Sequence, residues 1–214
     1  MVGLLSLLSY PPTARISTGL VAWYEGRLVW ALGNEKYWST KEGVVNIPVI
    51  GIGGGMEPGE SLLEAVMREA REEAAIDIRI RPARSTLLLA SDRLEVEDFS
   101  PRLPTEPAPL LVWQRKVVLR DDKGNPYERD YVNAVYEADL LGPPRPAAEI
   151  PGLLFMPVAA LLQLLQEPLG LDALQMQGVD YQGKPLPEAA LFNLQGSALF
   201  AAEYWHRLAR GASS

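Results

Sequence analysis

The spacing of apolar and polar residues predicts strands interspersed with helices. Two apolar runs flank Glu25-Gly26 within residues 16–33, which is typical of a β-hairpin. Residues 44–54 indicate a strand that runs into a glycine turn, and helices are predicted from Ser61 and over residues 157–166. Further strands are predicted for the segments IDIRIRP, STLLLAS, LLVWQRKVVL and YVNAVYEADL. About six strands mixed with two or three helices indicate an α/β sandwich with a mixed sheet.

Two proline-rich stretches interrupt this pattern. Residues 91–109 are acidic and lack periodicity, and they predict a lid loop because long irregular loops in compact domains usually serve function. Residues 140–151 form a shorter stretch of the same kind. Residues 169–214 end in the helical pattern GSALFAAEYWHRLARG. We expect a main domain over residues 1–168 and a C-terminal helical extension over 169–214, whose last helix fits either a homodimer interface or a cover over the chain's own core.

The composition argues against several classes of function. A formal charge of −7 disfavours a polynucleotide partner, since binding to its backbone needs clustered Lys and Arg. The absence of cysteine excludes disulfides, zinc–thiolate sites and thiol nucleophiles, and it fits a cytoplasmic protein. The single histidine, His206, falls in a predicted helix, so a Ser-His-Asp hydrolase is not expected. No segment reaches the roughly 18 apolar residues of a membrane helix, so we expect no membrane partner.

The helix after the glycine turn has a well-marked start. Pro58-Gly59 forms a turn, Ser61 can cap the helix, and Glu64 stands three residues later, as in a capping box. Apolar residues then recur at helical spacing, so one face of the helix is expected to be buried. This predicted stripe consists of Leu63, Val66, Met67, Ala70 and Ala74.

Three glutamates share another face of the same helix. Glu69, Glu72 and Glu73 are spaced i, i+3 and i+4 and repel one another by roughly a few tenths of a kcal/mol per pair. A divalent cation removes that penalty, and clustered carboxylate oxygens are the ligands that Mg²⁺ or Mn²⁺ prefers. The glycines of residues 51–55 lack the lysine of a phosphate-binding loop and suit a close backbone approach, with a carbonyl turned toward the same metal. For the acidic cluster alone, a solvated surface is the alternative interpretation.

Residues 54–76 resemble the Nudix box, a loop–helix–loop motif. The matching positions are Gly54, Glu60, Arg68, Glu69, Ala70, Glu72, Glu73 and Ile76. Ala75 stands where the family has glycine, and alanine in the left-handed conformation that ends a helix costs roughly 1 kcal/mol, so the exit from the helix is expected to differ. The likeness extends over about residues 16–166. It implies the α/β/α sandwich fold of Nudix hydrolases and an ion pair of Glu60 with Arg68 that braces the helix.

The resemblance also implies an activity. Nudix hydrolases cleave a nucleoside diphosphate linked to a moiety X, with Mg²⁺ or Mn²⁺, so a metal-activated water is expected to attack a diphosphate in line. Glu69, Glu72, Glu73 and the Gly54 carbonyl would be the metal ligands. The expected partner is therefore a small-molecule nucleoside diphosphate derivative.

The general base stays open at this point. Glu69 or Glu73 could accept the proton within the box. In many Nudix enzymes the base comes from a loop outside it, and Glu149, just before IPGLLF, is the best such residue. The alternative for Glu149 is an exposed loop residue without a role. Two further candidates on the presumed lid are Glu97 and Glu106.

No recognisable marker identifies X. Aromatic side chains could stack on a base or belong to the core, and isolated arginines could bind phosphate or only face solvent. Two other classes of function stay open: a non-catalytic nucleotide-binding or regulatory Nudix module, and a structural protein with an acidic surface. The side chains in question are Trp23, Trp30, Tyr37, Trp38, Arg102, Arg115 and Arg129.

Overall fold

The computed structural model describes residue 4 and residues 10–90, 93–97, 107–120, 123–147 and 149–211. In chain order the elements are β1 (Arg15–Tyr24), β2 (Arg27–Leu32), a 3₁₀ turn (Glu35–Tyr37), β3 (Ser39–Lys41), β4 (Val44–Ile50), α1 (Leu62–Ala74), β5 (Ile78–Arg81), β6 (Thr86–Ala90), β7 (Arg93–Glu97), β8 (Leu111–Arg120), β9 (Pro126–Leu140), β10 (Gly152–Met156), α2 (Val158–Leu164), α3 (Leu171–Gln175), β11 (Asp180–Gly183), β12 (Ala190–Leu194) and α4 (Gly196–Gly211).

These residues form two compact units. The first consists of Met1–Gly19, Gly53–Val66 and Ile80–Glu137, and the second of Leu20–Ile52, Met67–Arg79 and Ala138–Ser214. The chain passes from one unit to the other within β1, α1, β5 and β9, and also between Ile52 and Gly53, after β4. The helix with the three glutamates therefore begins in the first unit and ends in the second.

The first unit contains a mixed sheet in the order β7-β6-β8-β9. Strand β6 pairs antiparallel with β7 and parallel with β8, and β8 pairs antiparallel with β9 along its whole length. Strand β7 lies inside the presumed lid, in contrast to the expected loop without regular structure. The segment RLEVE alternates apolar and polar residues over only five positions, a pattern too short to stand out among acidic neighbours. Residues 91–92 and 98–106 of that stretch lie outside the described residues.

The second unit contains the predicted hairpin. Strands β1 and β2 pair antiparallel across Glu25 and Gly26, whose φ angles of 49° and 77° match a type I′ turn. Strand β10 pairs antiparallel with both β2 and β11. Strand β4 pairs antiparallel with β2 and β3 and parallel with β12. Helices α2 and α3 contact β12, and α4 contacts β4 and α2. The predicted α/β class with a mixed sheet is confirmed.

Residues 169–214 contain more than the predicted helices. Strand β11 continues the sheet at β10, and β12 adds a parallel strand to β4. Trp205 of α4 contacts Trp23 edge-to-face with ring centroids 6.1 Å apart, so this helix covers part of its own unit. The domain boundary at residue 168 and a homodimer through α4 stay predictions. No helix in the described part of the chain is long and apolar enough to cross a membrane.

Helix α1 buries a face next to the predicted one. Val66, Ala70 and Ala74 are fully buried as expected, whereas Met67 is 36% exposed and Leu63 is half-buried. The additional buried apolar residues are Leu62 and Ala65, and one of the glutamates, Glu69, is also buried. The buried stripe is therefore rotated toward Glu69, because tertiary packing rather than the apolar pattern alone sets which side faces inward.

Candidate active site

The loop before helix α1 is fixed to strand β1 within the first unit. The amide of Thr18 donates a hydrogen bond of 2.9 Å to the Gly54 carbonyl. The φ angle of Gly53 is 149°, and a Cβ atom there would collide with the Thr18 carbonyl oxygen. The glycines thus serve the predicted close backbone approach. The Gly54 oxygen already accepts one hydrogen bond and has a second lone pair, so its role as a metal ligand stays a prediction.

The capping box at the start of α1 is present. The Ser61 amide and hydroxyl donate to Glu64 Oε2 at 2.8 and 2.9 Å, and the Glu64 amide donates to Ser61 Oγ at 3.2 Å. The hydrogen bond from the Ser61 amide, followed by that from its hydroxyl, lowers the pKa of Glu64. In the same loop, Glu60 Oε2 accepts a hydrogen bond of 2.8 Å from the Glu57 amide. The predicted brace between Glu60 and Arg68 stays a prediction.

Arg68 joins two of the three glutamates in the second unit. Its Nη1 lies 2.9 Å from Glu69 Oε1 and 2.9 Å from Glu72 Oε2. The Glu69 side chain is only 11% exposed and that of Glu72 is 53% exposed, so the pair spans the boundary between interior and solvent. Arg71 instead pairs with Asp77, with Nε 2.7 Å from Oδ1. One guanidinium therefore pairs with two of the box carboxylates and offsets one of their two negative charges.

The end of α1 keeps the geometry that a glycine would take. Ala75 has a φ angle of 51°, and its amide donates to the Arg71 carbonyl at 3.1 Å, as in the left-handed helix cap. The expectation that the helix exit would differ because of Ala75 was wrong. Alanine carries the strain of this conformation, since the surrounding chain fixes the turn.

The loop that follows β9 caps the same helix end. The Ala147 amide donates to the Glu73 carbonyl at 3.0 Å, and the Arg145 amide donates to the Ala74 carbonyl at 2.9 Å. These two bonds satisfy carbonyls that have no partner inside the helix. The proline-rich stretch of residues 140–151 is thereby fixed to the last turn of the box helix, and it carries Glu149.

Two side chains after strand β2 hold the Glu149 carboxylate. Its Oε2 accepts hydrogen bonds from Asn34 Nδ2 at 2.9 Å and Lys36 Nζ at 3.3 Å. The hydrogen bond and charge of Glu149 raise the pKa of Lys36. Sequence reasoning missed both partners, because Asn34 and Lys36 lie more than a hundred positions away and no local pattern connects them with Glu149.

The aromatic side chains proposed for base stacking are in different environments. Trp30 is fully buried and belongs to the core, and the Trp38 indole donates to the Gly33 carbonyl at 2.7 Å. Tyr37 is 66% exposed and lies under the Lys36 ammonium, 5.1 Å from its centroid. No contact in the second unit favours a ligand role for any of these three.

The remaining candidate site residues are spread over several elements or lie outside the described residues. The Arg115 guanidinium stacks on the Trp113 ring at 4.9 Å in the first unit, and Arg129 is exposed on β9. Glu97 ends β7, and Arg102 and Glu106 lie outside the described residues. His206 is half-buried on α4.

The carboxylate side chains of α1 are chemically suited to bind a hard divalent cation. Carboxylate oxygens are the preferred ligands of Mg²⁺ and Mn²⁺, and Glu69 and Glu72 already share one positive group, the Arg68 guanidinium. With the side chains in these positions, no three acidic or histidine side chains of the described residues converge as metal ligands do. The assignment of Glu69, Glu72 and Glu73 as metal ligands therefore comes from their positions in the sequence motif of residues 54–76.

A family comparison identifies the region that holds these groups. A model of the NUDIX domain matches residues 24–174, more than half of the chain. The protein belongs to the Nudix family. This confirms the resemblance drawn from residues 54–76 and the prediction of a Nudix-type pyrophosphohydrolase. A comparison with curated protein sequences gives no significant match.

Solved Nudix structures are similar at low sequence identity. An ADP-ribose pyrophosphatase from Streptococcus suis 89-1591 is 14% identical, with 69% of this chain and 76% of that chain covered and a TM-score of 0.37. A NUDIX-family hydrolase from Clostridium perfringens is 16% identical, with coverage of 69% and 83% and a TM-score of 0.41. A NUDIX hydrolase from Nitrosomonas europaea is 10% identical, covers 90% of each chain and has a TM-score of 0.42.

Proposed function

We propose that this Nudix protein is a metal-dependent hydrolase that cleaves the diphosphate of a nucleoside diphosphate linked to a moiety X. The observation that supports this most directly is the shared contact of Arg68 with Glu69 and Glu72, both at 2.9 Å. Two carboxylates on one helix face already converge on a single cation. The same carboxylates occupy the ligand positions of the Nudix box.

Under this proposal, Glu69, Glu72 and Glu73 bind Mg²⁺ or Mn²⁺, with the Gly54 carbonyl as the ligand predicted from the sequence. A bound divalent ion would neutralise charge on the diphosphate and acidify a water molecule. The protein's own contribution is to hold these carboxylates on one rigid element. The capping box at Ser61 and the loop hydrogen bonds at Glu73 fix the two ends of that helix.

The proposed general base is Glu149. Asn34 and Lys36 both bind its Oε2, which orients the carboxylate through one oxygen. Its loop is tied to the last turn of α1 at Glu73 by the Ala147 amide. Glu69 is less suited to reach a water molecule, because its side chain is only 11% exposed whereas that of Glu149 is 71% exposed. An oriented base of this kind contributes about 10²–10⁴ in rate.

The proposed hydrolysis consumes one water molecule for each diphosphate bond that is cleaved. The water oxygen attacks one phosphorus of the diphosphate while the bond from that phosphorus to the bridging oxygen breaks. The water's proton passes to the Glu149 carboxylate, and the leaving phosphate keeps the bridging oxygen. Hydrolysis at the diphosphate yields a nucleoside monophosphate and the phosphorylated form of X.

The test is release of nucleotide or phosphate from a panel of nucleoside diphosphate derivatives with Mg²⁺ or Mn²⁺. The panel is run with the wild type, with Glu73→Gln and with the control Glu167→Gln, whose exposed carboxylate lies after α2. Turnover of one compound that only Glu73→Gln abolishes supports the hydrolase and identifies X. Turnover that survives Glu73→Gln contradicts the proposed role of the box.

The alternative is a non-catalytic nucleotide-binding or regulatory module. It predicts metal binding to the wild type without turnover of any compound in the panel. Metal binding is measured separately, by calorimetric titration with MnCl₂. Two results together would favour this module over the hydrolase. The wild type would bind Mn²⁺ more tightly than Glu73→Gln does, and no compound of the panel would be turned over.

A further inference from the structure

A cleft of about 390 Å³ lies within the second unit beside strand β11. We call it the extension cleft, because part of its wall (Asp180, Tyr181 and Gln182) comes after residue 174, where the match to the NUDIX domain ends. Its volume is at the lower end of the range for small-molecule sites. Besides prolines, its main lining side chains are Tyr24, Arg27, Arg145, Phe155, Asp180 and Tyr181.

One wall of the cleft is aromatic and held in place. Tyr24 and Phe155 meet edge-to-face, with ring centroids 6.4 Å apart and planes at 67°. The Tyr181 ring lies directly over Gly152, where any Cβ atom would collide with it, and its hydroxyl donates to the Lys184 carbonyl at 2.6 Å. Tyr181 is therefore fixed by its neighbours, and its half-exposed ring gives the cleft a flat, rigid surface.

Charged side chains also line the cleft. The Arg27 guanidinium lies 5.5 Å above the Phe155 ring and pairs with Asp180. Arg145 is exposed, and among the described residues no carboxylate lies within ion-pair distance of it. The lining side chains include two guanidinium groups and one carboxylate, and Glu25 and Glu35 lie near the two tyrosines. Arg145 is therefore the cationic group of the cleft that is available to an anion.

The two tyrosines do not oppose this charge. Burial, followed by the nearby Glu25, raises the pKa of Tyr24, and burial followed by the charge of Glu35 raises that of Tyr181. Both phenols consequently stay neutral near pH 7, and each offers a ring face and a hydroxyl rather than a negative charge.

We propose that the extension cleft binds a nucleoside monophosphate, with the base against Tyr181 and Tyr24 and the phosphate on Arg145 and Arg27. A planar ring and one compact anionic group match the aromatic wall, the guanidinium groups and the volume. Arginine is suited to the phosphate because its planar fork can donate two hydrogen bonds. None of its lining side chains is a box carboxylate or Glu149, and the proposed occupant is a second ligand besides the one hydrolysed at the box.

The test is calorimetric titration of the full chain with AMP and UMP in excess EDTA. Without metal, a phosphate has no divalent bridge to the box glutamates, so binding reports on the extension cleft. Adenosine and inorganic phosphate are titrated separately, because the proposal predicts that each half binds at least about tenfold more weakly than AMP. Saturable one-site binding of at least one nucleotide is expected.

Variants assign the signal to the cleft. Arg145→Ala and Tyr181→Leu are each expected to weaken binding by about tenfold or more, through the lost phosphate contact and the lost ring face. The matched control is Arg84→Ala, an exposed arginine of the first unit. Glu167→Gln, which removes an exposed carboxylate after α2, is the second control, and both controls are expected to bind as the wild type does.

Three results would overturn the proposal. The first is the absence of binding of either nucleotide to the wild type at millimolar concentration. The second is unchanged binding by both Arg145→Ala and Tyr181→Leu. The third is binding of adenosine as tight as that of AMP, which would leave the arginines without a role. Failure of the proposed hydrolysis has no bearing on these titrations, because they involve no turnover.

Discussion

Arg68 Nη1 lies 2.9 Å from Glu69 Oε1, although the two residues are adjacent in the chain. The carboxylate is nearly buried, with 11% of its side chain exposed, and the guanidinium is 22% exposed. A carboxylate can remain charged at such a position only with a cation beside it. Arg68 therefore supplies in this structure the positive charge that a metal ion would bring to Glu69.

Replacement of Arg68 by methionine should separate these two sources of charge. We expect Arg68→Met to lower the free energy of unfolding by about 2 kcal/mol, less than for a fully buried pair because the guanidinium is partly exposed. Mg²⁺ should restore part of this loss, since it binds the folded state with the carboxylates in place. Urea unfolding with and without MgCl₂ measures both effects. An equal gain from Mg²⁺ in variant and wild type would contradict the interpretation.

Ala75 should be the site of a stabilising substitution. Ala75→Gly relieves the left-handed conformation, with its φ angle of 51°, and we expect a gain of about 1 kcal/mol in the free energy of unfolding. Ala65→Gly, in the body of the same helix, is the matched control. It should lose at least about 1 kcal/mol, because glycine weakens a regular helix. Thermal or urea unfolding shows which substitution raises and which lowers the free energy of unfolding.

The capping box should make part of the stability depend on pH. The folded-state pKa of Glu64 is lowered by the Ser61 hydrogen bonds, so its contribution is present above the unfolded pKa and is lost as the pH falls through the folded value. We therefore expect the wild type to exceed Glu64→Gln in stability at pH 7. The difference should shrink below about pH 4, near the ordinary pKa of glutamate. A constant difference between pH 7 and pH 3 would exclude this role.

Glu149 should affect turnover rather than metal binding. We expect Glu149→Gln to lower kcat by about 100-fold, since the proton acceptor is lost, with Mn²⁺ affinity unchanged. Asn34→Ala should reduce kcat by a smaller factor, about tenfold, because it removes only one of the two groups that orient the carboxylate. Steady-state kinetics and MnCl₂ titration check the two parts. A kcat within twofold of wild type in Glu149→Gln would return the role of base to Glu69 or Glu73.

The features that the sequence predicted correctly depend on short-range interactions. The Glu25-Gly26 turn and the Ser61–Glu64 capping box are determined by residues within four positions of each other, so their geometry follows from local chemistry. The spacing of the box glutamates is likewise a property of one helix. Family membership was predictable for the same reason, because the motif is contiguous in the chain.

The features that the sequence did not predict depend on distant residues. Glu69 is buried because α1 packs with a face shifted from the apolar stripe, so Met67 is exposed instead. The partners of Glu149 after strand β2 are more than a hundred positions away. Strands β11 and β12 are short, and only their pairing with β10 and β4 makes them regular.

The sequence by itself determined the family, the α/β class and the positions of the box glutamates, because those are encoded in composition, local spacing and one contiguous motif. Tertiary structure alone decided that Glu69 is buried, that Asn34 and Lys36 hold Glu149, and that residues 180–182 complete the extension cleft. The physical reason is the same in each case. Burial, charge pairing and backbone strain depend on which distant segments meet, and no local pattern specifies that.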